Sequence, residues 1–69
     1  MQIAELKEKL AYLIQKYVLT DELQKRELLE LLAMDPVPVK GLLADLTPYL
    51  KGCSESDGRL IKDIVFNYV

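Results

Sequence analysis

Residues 28–43 read LLELLAMDPVPVKGLL, and this stretch decides the fold. Leucines recur at three-and-four spacing on either side of two prolines, and that spacing is the period of a helical face. Each proline lacks an amide donor and biases the residue before it away from helical dihedrals. One helix must therefore stop near Met34, and another must start after the break. Leu28, Leu31 and Leu32, with Leu29 beside them, form the apolar stripe of the first. Val39, Leu42, Leu43, Leu46 and Leu50 form that of the second, and either proline can occupy its first turn.

Upstream of this pair, Thr20 or Asp21 can cap the leading helix, with Asp21 and Gln24 at the spacing of a capping box. The segment 21–34 is thus predicted helical, and most of its burial should come from its second half, since Lys25, Arg26 and Glu27 occupy the first. Further upstream, Ile3, Leu6, Leu10, Leu13, Ile14 and Tyr17 mark one face of a helix over 2–18, opposed by Glu5, Lys7, Glu8, Lys9 and Lys16. Downstream, the third helix is read over 37–51, kinked or restarted at Pro48 with Thr47 as the cap. Gly52 suits the left-handed residue that closes a helix, and Ser54-Glu55-Ser56-Asp57 supplies caps and early negative charge for a last helix over 55–69. Leu60, Ile61, Ile64, Val65 and Tyr68 form its inner face. The spacing of Leu10, Leu13, Ile14, Tyr17 and Val18 recurs in Ile61, Ile64, Val65, Tyr68 and Val69, which ordinary amphipathicity explains and which gives the first and last helices similar packing roles.

The fold class that follows is all-α, a compact bundle of four short helices forming one domain over 1–69. At this size a core contributes only roughly 3–5 kcal/mol and the folded chain buries about 60% of its unfolded surface. Yet 51% of the residues are apolar, so some of that surface is expected to stay outside or meet another chain.

Nine basic and eleven acidic residues nearly cancel, which disfavours nucleic acid and anionic membrane as partners. Read as a helix-turn-helix, residues 21–51 would present only Lys40 and Lys51 from the second helix, with Asp45 between them, too little basic charge for a groove. A single cysteine, Cys53, allows no internal disulfide, and without histidine the chain lacks the commonest metal ligand and general base. A reducing, cytoplasmic setting fits, and no apolar run approaches the roughly 18–20 residues of a membrane span. The run Cys53-Ser54-Glu55-Ser56-Asp57-Gly58 imitates the start of a calcium loop, but Cys53 and Ile64 would stand at ligand positions that a hard cation cannot use. It reads as a helix cap. Cys53 with Ser54 and Ser56 would need a base to act as a nucleophile, and the usual one is missing. No catalytic residue, cofactor, metal or small-molecule substrate is expected, and the Asp-Ser-Leu attachment site of acyl carrier proteins does not occur.

From the second helix onward, the Pro36-Val37-Pro38-Val39 bend, Leu42-Leu43 and the capped last helix resemble the end of the helical leader domain of transcription elongation factor S-II. The resemblance implies docking of short disordered motifs. The family's closing tryptophan and basic cluster are missing, with Tyr68 nearest the tryptophan position, and no binding residue is carried over.

Aromatic side chains are enriched where binding energy concentrates. Tyr17 and Tyr68 lie on inner stripes and are assigned to the core. Tyr12 and Phe66 lie off those stripes, and with Leu29 they are the candidate partner-binding residues. The expected function is a non-catalytic protein-protein interaction or regulatory module acting through apolar helix faces, with another protein or a second copy of itself as partner. The alternative is a regulator of nucleic-acid machinery, either an acidic inhibitor of a basic partner, using Asp21, Glu22, Glu27, Glu30 and Asp35, or a weak DNA-binding transcription factor.

Overall fold

The computed structural model describes residues 2–68. Four α-helices and one 3-10 turn follow in order: α1 (Ile3–Tyr17), α2 (Glu22–Leu32), α3 (Val39–Leu46), the 3-10 turn (Thr47–Leu50) and α4 (Glu55–Tyr68). No strand occurs among the described residues. The radius of gyration is 11.0 Å, the value of about 11 Å expected of a compact chain of this length.

Side chains at three-and-four spacing bring the helices together. Leu6, Leu10, Leu13 and Ile14 of α1 are fully buried against Leu28 and Leu32 of α2, Leu42, Leu43 and Leu46 of α3, and Ile64 of α4. Val18, Val39 and Leu50 complete this core, and Leu29, Leu31, Leu60, Ile61, Tyr17, Tyr49 and Tyr68 pack on it half-buried. As its sequence implies, α2 is buried mainly through its second half.

Two residues predicted to face inward do not. Ile3 is 55% exposed and Val65 is 43% exposed. α2 runs back along α1 until Leu32 and Ala33 lie beside Lys7, Glu8 and Ala11, which leaves Ile3 one turn beyond the end of its neighbour. Val65 stands a full 100° round α4 from Ile64, at the margin of the stripe. The expected parity of first and last helices therefore fails. α1 buries four apolar side chains fully or nearly so, α4 only Ile64. The partner of Val18 in the internal echo, Val69, lies outside the described residues.

Local chemistry sets the helix ends. The Asp21 carboxylate accepts the Gln24 amide at 3.0 Å, and its second oxygen accepts the Tyr49 hydroxyl at 3.3 Å, fastening the start of α2 to the 3-10 turn. Pro38 is the N-cap of α3, and a cis peptide bond joins Asp35 to Pro36. Thr47 does not cap a restarted helix. Leu46 and Thr47 both keep right-handed helical dihedrals, the chain tightens into the 3-10 turn with Pro48 in its first turn, and the Thr47 hydroxyl instead donates to the Leu43 carbonyl at 2.6 Å. A proline needs no donor at a helix start, so the tightening accommodates Pro48 without a break. Gly52 has φ of 77° and reverses the chain, after which Ser54 Oγ accepts the Asp57 amide at 3.2 Å and opens α4.

Candidate functional site

The Ser54 cap fixes where α4 begins, and so places Asp57 in the first turn of α4, facing the last turns of α1. Asp57 is the one buried charged side chain among the described residues, 4% exposed. One carboxylate oxygen accepts the Tyr12 hydroxyl at 2.9 Å; the other accepts Lys16 Nζ at 2.8 Å and the Tyr17 hydroxyl. Lys16 Nζ also lies 2.9 Å from the Tyr12 hydroxyl and 5.3 and 5.5 Å from the ring centres of Tyr12 and Tyr17, within cation–π range.

Hydrogen bonding to Lys16, then to Tyr17, holds the Asp57 carboxyl well below the usual carboxylate range. Asp57, then Tyr12, raises the Lys16 ammonium above the ordinary lysine value. The Tyr17 phenol is raised as well, chiefly by its bond to Asp57, because losing its proton would set two anions together. At neutral pH the cluster is thus an ionised, fully partnered latch between α1 and α4, and its carboxylate is not free to accept a proton. No buried side-chain nitrogen or oxygen among the described residues lacks a partner.

The exposed apolar side chains tell a different story. Phe66 is 89% exposed. It lies on the far side of α4 from Ile64, on the face that carries the Glu55–Arg59 ion pair of 3.1 Å. Leu29 is half-buried and separates two shallow depressions. One runs along α2 and is lined by Glu22, Lys25, Arg26, Glu30 and Ala33; the other lies between α1 and α2, lined by Lys7, Glu8, Ala11, Leu32 and Ala33.

The three candidate partner-binding residues do not converge. Tyr12, 45% exposed, is engaged with Asp57 on the flank of α1 that meets α4. Leu29 stands against the other flank of α1, and Phe66 projects from the outside of α4. By sequence Lys16 is a solvated charge, Tyr17 a core residue and Asp57 a capping charge, and the latch they form is not legible there. Its members lie 40 to 45 residues apart along the chain, and no local spacing signals them.

Among the described residues no group of three or more His, Cys, Asp or Glu is placed to hold a metal ion, and no helix is long and apolar enough to cross a membrane. Cys53 is a half-buried free thiol. No family model, curated protein or solved structure matches the chain.

Proposed function

We propose that this chain is a non-catalytic protein-interaction module that binds through apolar helix faces, in a cytoplasmic setting where Cys53 stays reduced. The observation that carries this reading is Phe66. The core closes without it, and a large aromatic ring stands almost entirely in water. Leu29 in its trough, with Leu19, Leu23 and Met34 also exposed, adds to the apolar surface that folding leaves uncovered.

The test is affinity capture of partners from cell extract by the wild-type chain and by Phe66→Ser. Phe66 contributes nothing to the core, so the variant should melt at the wild-type temperature while losing the captured protein. Equal capture by both chains, or capture of nothing by either, would overturn the role given to Phe66.

A second reading draws on charge. Asp21, Glu22, Glu27, Glu30 and Asp35 are all exposed on and around α2, a surface that could occlude a basic partner of the nucleic-acid machinery. Binding of that kind weakens steeply as salt rises, whereas apolar docking through Phe66 changes little. A salt titration of the captured complex separates the two.

A further inference from the structure

The last helix is tied to the rest of the fold by a single turn that depends on glycine. Lys51 has φ of −62° and ψ of 130°, Gly52 has φ of 77°, and the Cys53 amide donates to the Leu50 carbonyl at 3.1 Å, so residues 50–53 form a type II turn with glycine at the place that needs a positive φ. No other described residue has a positive φ. A Cβ added at Gly52 would meet no atom within 4 Å, so alanine there would strain the backbone and touch nothing.

What α4 brings to the fold is a separable set of contacts. Ile64 is its one fully buried apolar side chain among the described residues, with Leu60, Ile61 and Tyr68 half-buried beside it, and Asp57 is held by Tyr12, Lys16 and Tyr17 of α1. The three donors and the apolar stripe of α1 make a seat shaped for this one helix. We propose that α4 exchanges between two copies of the chain, each lending its last helix to the other's seat as the Gly52 turn opens. The exchanged dimer keeps the contacts of α4, Asp57 included, and changes only the hinge, which makes exchange a low-cost route to a closed two-fold dimer. Any other occupant would have to reproduce the Ile64 stripe and a carboxylate two turns before it; a second copy does so by identity.

The balance between the two forms is set by the turn. Within one chain a short link holds α4 near its seat at an effective concentration of roughly a millimolar, so the wild-type chain should stay monomeric through the micromolar range. Alanine resists the left-handed region by about tenfold, and two hinges open per dimer, so Gly52→Ala should dimerise at a concentration about a hundredfold lower. Gly52→Asn, whose side chain tolerates that region, should stay close to wild type.

Sedimentation velocity of the three chains under reducing conditions checks this order. Isotope-filtered NMR on a dimer refolded from mixed labelled and unlabelled Gly52→Ala chains checks the contact: ring protons of Tyr12 and Tyr17 in one copy should lie close to α4 protons of the other. A Gly52→Ala chain that is monomeric up to about millimolar concentration overturns the proposal. So does one that stays unfolded there, since concentration should rescue a strained turn by exchange, or a dimer whose contacts between copies avoid the seat on α1. The proposal makes no use of Phe66, so it and the interaction-module reading can fail separately.

Discussion

Asp57 is the residue whose loss should be felt most, because it is buried, charged and shared by three donors. Asp57→Asn keeps the shape and removes the charge, and it should lower the melting temperature at neutral pH more than Tyr12→Phe or Tyr17→Phe, each of which withdraws a single donor. The pH dependence follows from the direction of its shift. A carboxyl held lower in the folded chain than in the unfolded one stabilises the fold fully above the unfolded value, about 3.9, and loses that contribution as pH falls through the folded value. The wild-type advantage over Asp57→Asn should accordingly be constant from pH ~8 to ~5 and shrink steadily below ~4. Lys16, raised in the folded chain, contributes fully below the ordinary lysine value and loses its contribution only as pH climbs through its higher folded one, so neutral solutions leave it untouched. Thermal melts of both proteins across that range check the pattern; an advantage that grows on acidification would contradict it.

Among the elements, α2 and the 3-10 turn are joined through Asp21, which caps one and accepts the Tyr49 hydroxyl of the other. Burial, then the Asp21 charge, raises the Tyr49 phenol, in keeping with that contact. Asp21→Ala should cost about 1 kcal/mol for the cap, measurable by urea denaturation, and Tyr49→Phe, introduced alone, should reproduce only a small part of that loss. The cap itself was legible in the sequence, because Asp21 and Gln24 sit at a local spacing with one dominant structural meaning. The same holds for Gly52, and for Ser54 three residues before Asp57. Thr47 was misread. Its position before Pro48 fits an N-cap and also fits a hydroxyl bonded back to residue 43, and only the helical dihedrals at Leu46 and Thr47 decide between them. Likewise, Lys16 and Tyr17 are adjacent in sequence, and nothing local says that one carboxylate from the far end of the chain receives both.

Over the whole molecule, the four-helix arrangement was written in the periodicity of the leucines, which specify a face and therefore a neighbour. The share of the core that each helix supplies was not. α1 and α4 have similar apolar spacing, yet α1 lies between α2 and α4 and is covered on both flanks, whereas α4 meets the rest of the fold along one flank only. Hydrogen exchange should rank the helices in that order, with α1 amides the most protected and those of α4 beyond Ile64 the first to exchange. Equal protection of α1 and α4 would contradict this account of the core. The Asp57 latch gives the ranking a chemical control. α4 is held in oil by Ile64, with Leu60, Ile61 and Tyr68 half-buried beside it, and by Asp57 in charge, and acid weakens only the second of these holds. On descent into strong acid the last helix should let go while the leucines of the first three still hold one another, so that the chain comes apart as a strap unbuckled from one end, with Phe66 on its loose tongue.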